Sequence, residues 1–160
     1  MNLAAPRESR LLVYLTALAA LLLTLLPLPQ AVSVFWPQLL VLTILYWSTM
    51  TPHAGGLLVA FLAGLMLDVL QGTQLGQHAF AMSLVAYLAI RLHLITRAKP
   101  LFEQSLFVLV ALVIYEGTLW AIDGWSGRDA SIWSRWLHIP AGALLWPVVV
   151  GLLGRLHAPR

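Results

Sequence analysis

The sequence predicts an all-α fold, a polytopic membrane helical bundle, and three observations support this. Of the 160 residues, 61% are hydrophobic and 9% are charged, and the mean hydropathy is +0.88. This composition leaves too little polar surface to cover a water-soluble globule. The apolar residues form continuous runs rather than the alternating pattern of a membrane β-strand. We therefore expect helices, which satisfy their own backbone hydrogen bonds in lipid.

Six apolar runs, each broken by Pro, Gly or charge, predict six transmembrane helices. The second and third runs are the shortest, and we expect them to be little tilted or partly buried within the bundle. The links are too short to form a soluble domain, so residues 1–160 are predicted to form a single integral membrane domain. The predicted helices lie at about 11–28, 34–50, 55–71, 77–95, 101–122 and 137–156.

The N-terminal run has some features of a secretory signal peptide. It has a basic start and an apolar stretch, and the small residues Ala31, Val32 and Ser33 resemble a cleavage site. The apolar stretch is slightly long for a signal core. We therefore expect it to be retained as the first helix.

The distribution of basic residues predicts the orientation. Arg128 and Arg135 fall in the link between the fifth and sixth helices, and seven of the nine basic residues fall on the other side. The positive-inside rule then places both termini in the cytoplasm. The net charge of +3 is too small to suggest nucleic acid as a partner. The seven are Arg7, Arg10, Arg91, Arg97, Lys99, Arg155 and Arg160.

The third predicted helix carries a row of small residues that ends at an acid. Gly56, Ala60, Gly64 and Asp68 are spaced by four, so they follow one side of the helix. Small residues at this spacing allow another helix to approach closely. We expect the row to be a contact with a neighbouring helix of the bundle or with a partner protein.

The same helix is predicted to end in a tight turn. Gly72 can adopt the left-handed conformation that closes a helix, and Gly76 completes the turn before the fourth helix. Asp68 lies near the helix C-terminus, where the macrodipole disfavours an anion. For this reason Asp68 is not expected to act as a helix cap.

Depth in the membrane indicates which residues could bond to Asp68. His78 and Glu116 are predicted at its level, whereas Arg91 is more than about 10 Å away along the axis. Arg91 is expected to extend to the membrane surface or to meet Glu103. Three roles stay open for these buried polar residues: bonds between helices, which we favour, an interface with another membrane protein, or a site for a small molecule, proton or cation.

No residue pattern predicts catalysis. Gly-x-Gly-Asp and His-Glu-x-x-His motifs are absent from the sequence, there is no cysteine, and the one Gly-x-Ser-Gly sequence, Gly124 to Gly127, lies in the link between the fifth and sixth predicted helices. The five histidines are scattered, without a pair at the spacing that binds a metal from one helix face. We expect no catalytic residue, no metal and no cofactor.

Three segments of the chain carry a resemblance to a known family: WPQLLVLTILYW at 36–47, GLMLDVLQGTQLGQHAFAMSLVAYLA at 64–89 and ALLWPVVVGLL at 143–153. Together they resemble the MreD family of rod shape-determining membrane proteins. The resemblance covers nearly the whole chain. The family often carries Arg where this sequence has Trp36, so any contact of that arginine is in doubt. Pro147 and Gly151 in the third segment predict a kink and a close helix contact.

The resemblance implies a non-enzymatic component of the cell-wall elongation machinery in the cytoplasmic membrane. It implies MreC as a partner and, through MreC, the MreB filaments and the peptidoglycan polymerase and transpeptidase. The lipid bilayer surrounds the protein, and self-association is left open. The family is similar in fold to the substrate-binding subunits of energy-coupling factor transporters.

A vitamin-capturing transporter subunit is the alternative function. Asp68 and Glu116 would then bind a solute. Such subunits resemble one another in an Ala-x-x-x-Ala pattern on the first helix. This sequence has Thr16-x-x-x-Ala20 and Ala17-x-x-x-Leu21 instead, which favours the shape-determining function.

Overall fold

The computed structural model describes residues 7–27, 29, 36–127 and 132–157, and within them the secondary structure is entirely helical. The all-α bundle is therefore confirmed. Residues 34 and 35 of the predicted second helix lie outside the described residues. Residues 128–131 of the link between the fifth and sixth helices also lie outside them. The helices are α1 (Arg7–Thr24), α2 (Leu39–Met50), α3 (Leu57–Gln71), α4 (Gln77–Arg97), α5 (Leu101–Trp125) and α6 (Ile132–His157).

The helix ends differ from the predicted ones mainly near prolines and in the last link. α1 ends at Thr24, before Pro27, rather than at residue 28. α2 begins at Leu39 because Pro37 fixes its own backbone and disfavours a helical conformation at Trp36. α5 continues to 125 rather than 122, and α6 begins at 132 rather than 137.

Three of these helices are long and apolar enough to cross a membrane. They are α4, α5 and the part of α6 from Trp136 to Leu156. α1, α2 and α3 are apolar but shorter. The 12 residues of α2 extend about 18 Å, less than the ~30 Å of a hydrocarbon core. The chain is an integral membrane protein, and six complete crossings stay a prediction.

α2 is the centre of the bundle. It contacts all five of the other helices, and every residue from Leu40 to Thr49 is buried. Its Thr and Ser side chains are hydrogen-bonded within the protein: Thr43 and Thr49 donate to carbonyls one turn earlier, and Ser48 donates to the Gly55 carbonyl. Because α2 is enclosed on all sides, it needs no polar face.

The other helices surround α2 in an alternating up-and-down arrangement. α3 packs along α4, α4 along α5, and α5 along α6, whereas α1 packs mainly on α2. The C-terminal ends of α3 and α5 therefore meet the N-terminal ends of α2, α4 and α6. We call this the Asp68 end of the bundle, and the opposite end the Arg97 end.

Candidate functional site: buried polar clusters at the Asp68 end

The first cluster surrounds Asp68, which is buried at the last turn of α3. Its Oδ1 accepts hydrogen bonds from the Thr73 hydroxyl and the His78 backbone N–H, both at 2.9 Å. Its Oδ2 accepts from the backbone N–H groups of Gly76 at 2.9 Å and Ala79 at 3.3 Å. The His78 ring also contacts the carboxylate, with Nδ1 2.8 Å from Oδ1. The Asp68 side chain is thus hydrogen-bonded both to the turn and to the first residues of α4.

This geometry makes Asp68 the N-terminal cap of α4, which corrects the expectation that it caps no helix. The first N–H groups of a helix have no partner within the helix. The residue at the usual capping position is Gly76, which has no side chain. Asp68 supplies the missing acceptor from the preceding helix. The argument from the α3 macrodipole fails because the turn brings the positive end of α4 against the same carboxylate.

The hydrogen bonds also indicate the chemical form of Asp68. Each oxygen accepts two hydrogen bonds, Oδ1 from Thr73 and the His78 N–H and Oδ2 from two backbone N–H groups, so both lone pairs of each oxygen are occupied and neither oxygen carries a proton of its own. Since the carboxylate can only accept, His78 Nδ1 carries the hydrogen in their 2.8 Å contact. The cluster is an anion held by donors.

Gly64 makes this capping possible. A Cβ placed on Gly64 would lie 2.5 Å from Ala79 Cα and 2.7 Å from the His78 carbonyl carbon. Ala60, one turn earlier, is fully buried. Gly56 contributes less, because it precedes α3 and its Cβ position is 3.5 Å from the nearest neighbouring atom. The small-residue row therefore packs against α4 within the bundle at Gly64.

The turn between α3 and α4 depends on two glycines. Gly72 has φ 64° and Gly76 has φ 97°, the left-handed region that other residues rarely adopt. The Thr73 N–H donates to the Asp68 carbonyl at 3.1 Å and closes the end of α3. The turn then reverses the chain so that His78 faces Asp68.

The second cluster surrounds Glu116, which is buried in α5. His138 of α6 places Nε2 at 3.0 Å from Glu116 Oε1. Gln38, just before α2, donates through Nε2 to the same oxygen and lies 3.1 Å from His138 Nε2. This cluster joins three separate segments of the chain.

Asp68 and Glu116 do not form a shared site, although they were predicted at one depth. Asp68 bonds to His78 as the depth argument indicated, but Glu116 bonds to His138 and Gln38 instead. The His78 ring packs on the ring of Tyr115, the residue before Glu116, with the two centroids 6.3 Å apart. Within the described part of the chain, no three His, Asp or Glu side chains converge to hold a metal ion.

Sequence reasoning missed several members of this region. Gln38 gave no signal, because a single amide next to a proline is common at a membrane surface. His138 was one of five scattered histidines. A third contact, from Gln77 Nε2 to Asp123 Oδ1 at 2.9 Å, ties α4 to α5. It joins two residues that lie 46 positions apart in the sequence.

Arg91 does not pair with Glu103. Glu103 forms an ion pair with Lys99 at 2.9 Å, one turn before it. Arg91 Nε instead donates to the Tyr87 hydroxyl at 3.0 Å. Lys99 pairs with Glu103 because the two residues are four positions apart and both lie at the Arg97 end.

The predicted contact at Pro147 and Gly151 is not made within the described residues. Both lie on an exposed side of α6, and a Cβ on Gly151 would meet no atom within 4 Å. The helix continues through Pro147. The close contact on α6 is at Gly142, where a Cβ would lie 2.7 Å from Leu112 Cδ1.

These features define a polytopic membrane protein whose buried polar groups tie its helices together. Residues 7–156 match the family model described as rod shape-determining protein MreD. The chain is also 31% identical over 138 residues to the rod shape-determining protein MreD of Haemophilus influenzae, a match that covers 86% of this chain and 85% of the relative. The chain therefore belongs to the MreD family, and its role is in determining cell shape.

No solved structure matches the chain. The predicted likeness to the substrate-binding subunits of energy-coupling factor transporters is therefore without support. The family is a structural one defined by cell shape, and its description names no reaction.

Proposed function

We propose that this protein is a non-catalytic scaffold of the cell-wall elongation complex in the cytoplasmic membrane. It binds MreC and, directly or through MreC, positions MreB and the peptidoglycan polymerase and transpeptidase. Membership of the MreD family supports the role in cell shape. The bonding of the buried polar groups supports the scaffold, because Asp68 and Glu116 are both engaged in contacts that hold helices together.

The observation that carries this proposal is an apolar groove between α1, α2 and α3. It has a volume of about 320 Å³, and its walls include Tyr14, Leu18, Leu62 and Met66. The groove exists because α1 packs against α2 but barely meets α3. It opens sideways towards lipid, where van der Waals packing drives the association of helices. A single transmembrane helix, such as that of a bitopic partner, fits a site of this kind.

Disulfide crosslinking tests the groove directly, because the chain has no cysteine of its own. Leu62→Cys is placed in the groove and combined with single cysteines along the membrane span of a cysteine-free MreC. We expect crosslinks with a helical period of three to four residues along that span. Leu144→Cys, on the exposed side of α6, is the matched control. Equal crosslinking at both positions, or none at Leu62→Cys, would contradict the docking site.

Depletion of the protein in a rod-shaped host tests the function itself. We expect the cells to become round as the protein is diluted by growth. Cells that keep their shape but lose vitamin uptake would support a transporter subunit instead. Cell outline and vitamin uptake are measured in the same cultures.

A further inference from the structure

Arg91 is an exposed arginine inside a membrane-spanning helix. The 21 residues of α4 extend about 31 Å, close to the thickness of the hydrocarbon core. Arg91 lies six residues before the last residue, Arg97, and therefore about 9 Å inside the Arg97 end. Its side chain is on the outer surface of the bundle, one turn before the exposed apolar residues Leu94 and Ile95.

The guanidinium group is held against a neighbouring tyrosine. Arg91 Nε donates to the hydroxyl of Tyr87, one turn further from the Arg97 end, and Arg91 Cζ is 5.4 Å from the centre of the Tyr87 ring. Tyr87 is itself 45% exposed. Among the side chains that the structure describes, no carboxylate forms an ion pair with Arg91, and Glu103 is bonded to Lys99. The cation is thus held at its depth by a neutral group.

An arginine in this position is costly if it faces only lipid. A charged side chain at the bilayer centre disfavours insertion by about 2.5–3.5 kcal/mol, and less towards either surface. Charged residues in membrane spans normally face the interior of a bundle or a water-filled cavity, and they pair with one another or with backbone carbonyls. The remaining N–H groups of Arg91 and the Tyr87 O–H, which already accepts from Nε, form a set of donors suited to a carboxylate.

We propose that Arg91 and Tyr87 form a docking site for a transmembrane helix of another protein, one that carries an Asp or Glu at the same depth. The surrounding apolar side chains of α4 would pack against that helix. This site lies on α4, away from the groove between α1 and α3. It rests on the proposed scaffold function only in that the occupant is a membrane protein.

Two other occupants fit the geometry less well. A lipid phosphate lies at the membrane surface, beyond the Arg97 end, whereas Arg91 Nε is bonded to Tyr87, one turn further from that end. A second copy of the chain would have to offer Glu103, the exposed acid among the described side chains. Glu103 lies only two residues into α5 and is paired with Lys99.

Site-specific photocrosslinking combined with charge reversal tests the site. A photoreactive benzoylphenylalanine replaces Leu94, which is 72% exposed on the same side of α4, in cells that depend on this copy of the protein. We expect an adduct with one membrane protein, and a fall of about tenfold in its yield with Arg91→Glu, as for a loss near 1.4 kcal/mol in affinity. Arg97→Glu is the matched control, because it makes the same charge change at the end of the same helix.

The decisive step is the reverse exchange in the crosslinked protein. Replacing the acid at the matching depth of its membrane span with Arg is expected to restore the adduct and the rod shape to cells with Arg91→Glu. Purified Arg91→Glu and unmodified protein are expected to melt at the same temperature, since Arg91 is exposed.

Several results would overturn the docking site. These are an undiminished adduct with Arg91→Glu, an equal loss with Arg97→Glu, a failure of every charge exchange to restore it, or an adduct formed only with lipid. Rod-shaped cells carrying Arg91→Glu, in a host that becomes round on depletion, would refute this site while leaving the scaffold function intact.

Discussion

The Asp68 and Glu116 clusters are built in opposite ways at the same end of the bundle. The partners of Asp68 all lie within 11 residues of it in the sequence, in the turn and the first residues of α4. The partners of Glu116 that the structure describes lie 22 and 78 residues away, on other segments. The first cluster can therefore form as soon as α3 and α4 meet. The second requires α2, α5 and α6 to be in place.

The two clusters also differ in whether their donors can move when the acid is replaced. Three of the donors to Asp68 are backbone N–H groups, which cannot turn away without unwinding α4. The partners of Glu116 that the structure describes are side chains, which can adopt other rotamers. An unsatisfied donor is costly only where it stays buried. We therefore expect changes around Asp68 to be the more damaging.

The largest effect on stability is expected for Gly64→Leu, which changes the close contact between α3 and α4 beneath the Asp68 cluster. The new Cβ would lie 2.5 Å from the Ala79 Cα, and moving backbone atoms away from it costs free energy. α3 and α4 must separate, which also removes the donors from Asp68. We expect the free energy of unfolding, measured by SDS titration in detergent micelles, to fall by more than about 3 kcal/mol.

Gly151→Leu is the control for that change. It introduces the same side chain on α6, where a Cβ meets no atom within 4 Å. Its unfolding free energy should stay within about 0.5 kcal/mol of the unmodified protein. If the two variants unfold alike, the close approach of α3 and α4 does not limit stability.

Asp68→Asn comes next, since it keeps the shape of the cap and removes one acceptor. An asparagine turns one oxygen into an NH₂ group, which would face the backbone N–H of Gly76 and Ala79 or that of His78. We expect a loss of about 1.5 to 3 kcal/mol in the free energy of unfolding, the range for a hydrogen bond to a charged group. Loss of rod shape in cells is expected to accompany it. Full stability and normal shape would show that a neutral acceptor suffices.

The Asp68 cluster was also the more predictable of the two. Residue spacing placed Gly64 and Asp68 on one side of a helix, and the glycines at 72 and 76 located the turn. The capping role escaped prediction because it depends on the distance between α3 and α4. Residue spacing within one helix does not give that distance, and Gly64 sets it through its contact with Ala79.

The Glu116 cluster lay beyond what one sequence can predict. Depth along a helix ranked Glu116 with Asp68, yet depth says nothing about which helices are neighbours. Gln38 and His138 reach Glu116 because α2 is central and α6 packs along α5. The long apolar helices and their order were predictable from hydropathy, whereas the contacts between distant helices were not.

The smallest effect is expected for Glu116→Gln, and a double-mutant cycle sharpens the comparison. Glutamine keeps an acceptor oxygen for His138 or Gln38, and these two described partners can reorient, so we expect a loss of about 1 kcal/mol in the free energy of unfolding. Combining Glu116→Gln with His138→Gln measures the coupling across the α5 and α6 interface. Asp68→Asn with Glu116→Gln should be additive within about 0.5 kcal/mol, because the two clusters share no hydrogen-bonding residue among those described. A strong coupling between the two acids would instead mean that the Asp68 end acts as one polar unit, through the packing of His78 on Tyr115.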